Sequence, residues 1–245
     1  MQYKNLTLDK FQEDSIQSIE NNHSVVVSAP TGSGKTLIAD YIINKYIKKG
    51  IKVIYTAPIK ALSNQKYRDF CNDYGKDKIG LMTGDVVKNP SAPILIMTTE
   101  IYRNMALTED QMLDNISYVI FDEIHYINDI ERGYVWEESI IFSKSKVRFL
   151  CLSATIPNAK EFANWVEAIK RHKVDVIRHT KREVPLEKKF YDSYAGITTL
   201  ENMSAHKAIP EYEYVMRGRK KRKRKKLKSP SHIELVKEIR DKTPC

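Results

Sequence analysis

Three valines, Val25–Val27, run into Ala29-Pro30-Thr31-Gly32-Ser33-Gly34-Lys35-Thr36, and a segment of helical length follows. No other stretch constrains the chain so tightly. An apolar strand, a glycine-rich loop and a helix, in that order, make a cradle for a phosphate chain. Gly32 and Gly34 let backbone N–H groups turn inward around phosphate oxygens without a Cβ clash. The helix N-terminus adds partial positive charge. Lys35 can reach the β- and γ-phosphates of a nucleotide, and Thr36 offers a hydroxyl to a magnesium ion. Thr31 and Ser33 complete the set of loop candidates. The strict pattern starts with glycine where this chain has Ala29, but the turn itself is carried by the later glycines.

Such a unit belongs in a longer alternation, and the chain supplies one. Apolar runs predict strands over Ser24–Ser28, Lys52–Thr56, Lys78–Leu81, Ile94–Thr98, Tyr118–Phe121, Val147–Leu152 and Val174–Ile177. Several are rich in valine and isoleucine and apolar on both faces, the pattern of strands buried in a parallel sheet. Segments of helical length lie between most of them, among them Thr36–Lys49, Ile59–Tyr74 and Asn158–Lys170. The expected fold is therefore α/β, a mostly parallel sheet with helices on both faces. Phosphates should bind at the carboxyl ends of its strands.

The strand Tyr118–Phe121 ends in Asp122-Glu123-Ile124-His125. Two adjacent carboxylates at a strand end are costly unless a cation meets them. Magnesium–ATP is the expected partner. Asp122 is placed to hold the ion, and Glu123 to accept a proton from an attacking water.

Together the loop and the acidic site resemble superfamily 2 helicases of the DExH-box type. Other segments resemble the same family in the right order. Phe11-Gln12 resembles its upstream adenine motif, which implies that Phe11 stacks on the base and Gln12 bonds its edge. Thr56–Leu62, with Pro58, Lys60 and Gln65, resembles its first nucleic-acid-contacting motif. Thr83-Gly84-Asp85 and Thr98-Thr99-Glu100 resemble two further strand-contacting motifs. Ser153-Ala154-Thr155 resembles the motif that links ATP state to strand movement, and the resemblance puts His125 near Ser153 and Thr155. It covers about residues 8 to 190 and is nearest to the superkiller-like branch, whose RNA members serve the exosome. Tyr126, Arg132-Gly133, Trp136-Glu137-Glu138 and Ile156–Ala159 look like those RNA members. The implied fold is a RecA-like P-loop NTPase domain. The implied activity is ATP-dependent helicase work on RNA, with catalytic residues Lys35, Asp122 and Glu123. Two alternatives stand beside it: a DNA helicase of the repair branch, and a nucleotide-gated RNA-binding scaffold without turnover.

The resemblance also sets the expected organisation. Residues 1–185 form the first RecA-like domain. Residues 186–230 hold an edge strand over Leu186–Tyr191 and a disordered linker, and 231–245 start a second domain with a helix over Ser231–Asp241. The family's second domain supplies arginines that stabilise charge on the transferring phosphoryl. No motif with paired arginines near a glutamine follows Pro185, so the chain by itself is expected to bind nucleotide but to be nearly inactive.

The net charge of +10 is local: ten basic residues lie in Arg217–Lys228, and without them basic and acidic residues balance. Such a run can be a solvated linker, a nucleic-acid tether or a nuclear-targeting patch. Cys71, Cys151 and Cys245 fit no metal spacing, which points to reduced thiols inside a cell. No apolar stretch is long enough to span a membrane. The expected location is intracellular, cytoplasmic first and nuclear second, with an RNA-decay complex as a partner.

Overall fold

The computed structural model describes residues 1–182, 187–192, 196–205 and 232–242. The chain forms two compact units, Met1–Glu183 and Val184–Cys245. The first opens with a short antiparallel pair, β1 (Gln2–Tyr3) and β2 (Leu6–Thr7), and helix α1 (Lys10–Glu20). Strands and helices then follow in the order β3 (Ser24–Ser28), α2 (Thr36–Ile47), β4 (Lys52–Ala57), α3 (Lys60–Tyr74), β5 (Ile79–Met82), β6 (Val87–Lys88), β7 (Ile94–Thr98), α4 (Thr99–Leu107), β8 (Ile116–Phe121), α5 (Tyr134–Phe142), β9 (Arg148–Ser153), α6 (Ala159–Lys170) and β10 (Val174–Arg178). Eight of these strands make one sheet in the spatial order β10-β3-β9-β8-β4-β7-β5-β6. All neighbours are parallel except β5 and β6. This is the α/β class expected from the apolar runs. Strand bounds shift by at most two residues, as where Ile116–Phe121 replaces the expected Tyr118–Phe121.

Alternation along each strand feeds two separate cores. Val26, Val119, Phe121, Phe149 and Cys151 face α4, α5 and α6, and Trp136 fills that side. Val25, Val27, Tyr118, Ile120, Leu150 and Leu152 face α1 and α2, where Ile38, Ile42 and Ile43 meet them. Both faces of the central strands are therefore dry. Only the strand ends reach water, so any chemistry must sit there. The antiparallel β6 was not foreseen. Val87 and Lys88 are both exposed, and two residues carry no readable period.

In the second unit, β11 (Phe190–Asp192) pairs antiparallel with β12 (Gly196–Thr198), ahead of α7 (Leu200–Ala205) and α8 (His232–Lys242). The strand expected over Leu186–Tyr191 begins only at Phe190 and belongs to this local ribbon. The basic run Arg217–Lys228, along with Pro185, Leu186, Ser231 and Cys245, lies outside the described residues.

Candidate functional site

Register fixes which loops share one end of the sheet. Ser28 of β3 pairs with Ser153 of β9, Cys151 of β9 with Phe121 of β8, Phe121 with Thr56 of β4, and Ala57 of β4 with Thr98 of β7. The phosphate loop, Ser153–Thr155, Asp122–Glu123, Pro58–Lys60 and Thr98–Thr99 thus leave the sheet side by side. Ser153 lies between the loop and the acidic pair, and its carbonyl accepts from the Ala29 N–H at 3.2 Å.

The loop is built for a wrapped anion. Gly32 and Gly34 have φ of +84° and +82°, a region L side chains resist. Thr31, Gly32, Gly34 and Thr36 are exposed, while Ser33 is buried with its hydroxyl donating to the Pro30 carbonyl at 2.8 Å. Lys35 is folded onto its own loop, donating to the Ala29 and Pro30 carbonyls at 2.8 and 2.9 Å. Burial holds its pKa below the usual lysine range, and Glu123 and Asp122 oppose that shift. The lysine of one motif therefore lies in the field of the carboxylates of the other.

Asp122 is oriented twice over. Its Oδ2 accepts from the Tyr55 hydroxyl at 2.5 Å, and its Oδ1 from the Glu123 N–H at 3.0 Å. Burial and the Asp122 charge push the Tyr55 hydroxyl far above its ordinary pKa, so it remains a donor. Glu123 adopts left-handed backbone, φ 53° and ψ 45°, a conformation uncommon outside glycine. Its Oε2 lies 3.3 Å from His125 Nδ1, out of hydrogen-bond alignment. His125 Nδ1 and Ser153 Oγ are both buried without a hydrogen-bond partner among the described residues. Lone buried polar atoms are rare in folded proteins. Thr155, the other coupling candidate, is exposed beside them.

Lys66 of α3 adds a link that no motif announced. Its Nζ donates to Thr36 Oγ1 at 3.4 Å and stands 6.0 Å from the Tyr55 ring centroid. Lys66 thus stands near both Thr36 and Tyr55, the residue that aims Asp122. A hydroxyl and a carboxylate are hard oxygen donors. They suit magnesium, which takes few protein ligands when phosphates and waters supply the rest.

Several candidate residues are buried in this structure. Phe11 is 3% exposed, and its ring stacks on His179 with centroids 4.6 Å apart, so the expected base-stacking face is covered. Gln12 is buried, accepting from the Asp9 N–H at 2.9 Å and donating to the Gly34 carbonyl at 3.2 Å. It thereby braces the phosphate loop. Pro58, Thr83, Thr98 and Thr99 are buried as well. Thr99 donates to the Ala57 carbonyl at 3.4 Å, and Thr83 closes its own turn through Val86. Their side chains shape the strand-end face from beneath. Lys60 and Gly84 remain exposed on it, with Lys60 paired to Asp85 at 2.6 Å.

Comparison with known proteins agrees with this geometry. Residues 9–162 match the DEAD/DEAH box helicase family model. The chain is 49% identical to the DExH-box ATP-dependent RNA helicase DExH9 of Arabidopsis thaliana, over 74% of this chain and 18% of the relative. It is 50% identical to the antiviral helicase SKI2 of Saccharomyces cerevisiae, over 74% of this chain and 14% of the relative. It is 49% identical to the ATP-dependent RNA helicase mtr4 of Schizosaccharomyces pombe, over 76% of this chain and 17% of the relative. The chain therefore spans less than a fifth of the length of these relatives. Among solved structures, the DUF1998 helicase MrfA bound to DNA superposes with TM-score 0.59 at 22% identity, over 70% of this chain and 27% of MrfA. Mycobacterium smegmatis helicase Lhr gives 0.57 at 24%, over 74% and 26%. At those identities the likeness concerns the fold, which is RecA-like.

Proposed function

Because the chain belongs to the DEAD/DEAH box helicase family, we propose that it is the ATP-binding half of a motor that works on RNA. The observation that carries the reading is the register that sets the phosphate loop, Ser153 and Asp122–Glu123 side by side at one end of the sheet. The RNA assignment is supported by relatives near 50% identity that are named RNA helicases. The solved helicase structures share too little sequence to argue for DNA.

The chain's own residues divide the work. Amides of residues 32–36 surround the phosphates, and Lys35 moves from its loop carbonyls to the terminal ones. Thr36 and Asp122 would hold the metal, Asp122 being aimed by Tyr55. Glu123 takes the proton of the attacking water. Bound Mg-ATP supplies the transferable phosphoryl and the charge that offsets the two carboxylates. Ser153 and His125, whose buried Oγ and Nδ1 have no hydrogen-bond partner among the described residues, lie within this site with Thr155 beside them, and would link nucleotide state to strand movement. Lys60 and Gly84 meet the sugar-phosphate backbone without reading sequence. In the intact protein, residues 186–230 would link to a second RecA-like domain beginning near 231, and that domain would contribute the arginines for turnover. We place this activity inside the cell, in RNA decay, in the cytoplasm or the nucleus.

Calorimetric titration with Mg-ADP tests the site. Lys35→Ala should abolish detectable binding, while Glu123→Gln should leave it within about 3-fold. Steady-state ATPase of this chain should stay near background even with RNA. Equal loss in both variants would refute the division of roles.

A further inference from the structure

The segment that leaves the acidic pair returns to the strand-end face through one side chain. After Asp122–Glu123 the chain makes a 3-10 turn, Ile124–Asn128, then a tight loop ending at Gly133. Asp129 locks that loop. Its carboxylate accepts from the Glu131 and Arg132 N–H groups at 3.0 and 2.8 Å, and its carbonyl from the Gly133 N–H at 2.8 Å. A Cβ at Gly133 would lie 2.3 Å from the Ile127 carbonyl oxygen and 2.6 Å from that of Asp129. The close wrap therefore needs glycine. Arg132 is thus presented on a rigid base.

Its guanidinium joins two distant motifs. Nη2 donates to the Pro58 carbonyl at 3.0 Å and to the Glu100 carboxylate. The guanidinium carbon also stands 5.9 Å from the centroid of the Trp136 ring, which is fully buried. Pro58 begins the turn that leads to Lys60, and Glu100 is the second residue of α4, next to Thr98–Thr99. Both acceptors belong to the candidate nucleic-acid face, yet both bonds come from the loop that follows the nucleotide's acidic pair.

We propose that Arg132 is a positioning residue for nucleic acid. It pins the Pro58 turn and the start of α4 in one register, so that Lys60 and the neighbouring amides fit a sugar-phosphate strand. It does this without contacting the strand. The inference rests on the nucleic-acid reading of that face.

Two variants separate positioning from phosphate contact, with affinity for a short single-stranded RNA measured across a salt series. Arg132→Ala weakens binding about 10-fold, the size expected when a charge-assisted hydrogen bond is lost. The slope of log Kd against log salt stays unchanged, because no phosphate contact is removed. Arg132→Gln, which keeps the bulk, serves if the alanine variant does not fold. Glu100→Gln also weakens binding, although it removes a negative charge from a face that meets an anion. Mg-ADP affinity is unaltered in all three. A slope lowered by about 0.7 in Arg132→Ala, the value for one single-strand phosphate contact, overturns the proposal. So does equal or tighter binding by Glu100→Gln. If the unaltered chain binds neither single-stranded RNA nor single-stranded DNA, the nucleic-acid reading falls and takes this inference with it. Variants that bind as well as the unaltered chain sink the inference alone.

Discussion

Gly34→Ala tests the phosphate loop where it is least forgiving. Two costs can be read from the structure. The first is conformational. Gly34 sits at φ +82°, and holding an L-residue in left-handed space costs roughly 1–2 kcal/mol. The second is steric. A Cβ there would lie 2.8 Å from Gln12 Nε2, closer than real contacts allow. Gln12 can swing away, because the offending atom ends a flexible side chain. It then gives up its bond to the Gly34 carbonyl, worth about 1 kcal/mol net. Together about 2–3 kcal/mol opposes the anion-ready loop. The loop is exposed, so it can relieve the strain by refolding locally, without unfolding the sheet. The cost should therefore appear in nucleotide affinity, as a loss of about 30- to 150-fold, with thermal stability little changed. Fluorescence titration with a labelled ADP in magnesium measures this directly. Gln12→Ala supplies the second edge of a double-mutant cycle. It should weaken binding on its own, but cost less in the Gly34→Ala background, where Gln12 has already moved. Affinity of Gly34→Ala within about 3-fold of the unaltered chain would refute both the backbone and the Gln12 argument. Strict additivity in the cycle would refute the Gln12 argument alone.

Two further perturbations follow from charges the site or its frame holds in check. Asp85 is paired with Lys60 at 2.6 Å on the exposed face, and that ammonium draws its pKa below the usual carboxylate range. Asp85→Asn should release Lys60 and tighten RNA binding about 3-fold at low salt, with the gain fading as salt is raised; unchanged affinity at low salt would argue that Lys60 does not face the strand. At the opposite end of the sheet, burial and Arg148 lower the His172 pKa to about 4. The folded state thus refuses a proton that the unfolded chain takes up from about pH 6.5 downward. Stability should be level above that pH and fall as pH drops from about 6.5 toward 4, and His172→Gln should flatten the decline of the urea midpoint across that window. An equally steep decline in the variant would assign the acid sensitivity elsewhere.

Much of the frame was legible because its physics is local. Val25–Val27 announce a strand that is dry on both faces, and the glycines after them announce a turn. Asp122–Glu123 stand out as charge at the end of an apolar run. Elements without a local signature stayed hidden. The edge strand β6 is two exposed residues. Helix α5 is apolar on most sides because Val135, Trp136 and Ile140 are buried while Ile141 and Phe142 stay exposed. Lys170 gave no sign of its position. It is buried, with its pKa lowered to about 8 by burial, and it donates to the Ile141 and Ser143 carbonyls where α5 ends.

Side-chain direction was the part of the site that the motifs left open. Phe11, Pro58 and Thr99 were matched by type and order, and type does not say which way a side chain faces. Phe11 is one of the buried residues that α1 turns toward β3, and its ring stacks on His179. Thr99 begins α4 directly after a buried strand, so its hydroxyl turns inward to the Ala57 carbonyl. Arg132 shows the converse. It reaches Pro58 across 74 positions of sequence, a pairing that exists only once β4 and β8 lie side by side. A motif therefore marks the backbone position at which a ligand is met. Whether the side chain there touches the ligand or holds the turn is decided by the sheet beneath it. Substitutions at buried motif threonines should accordingly act on the geometry of the face, and those at Lys60 on its charge.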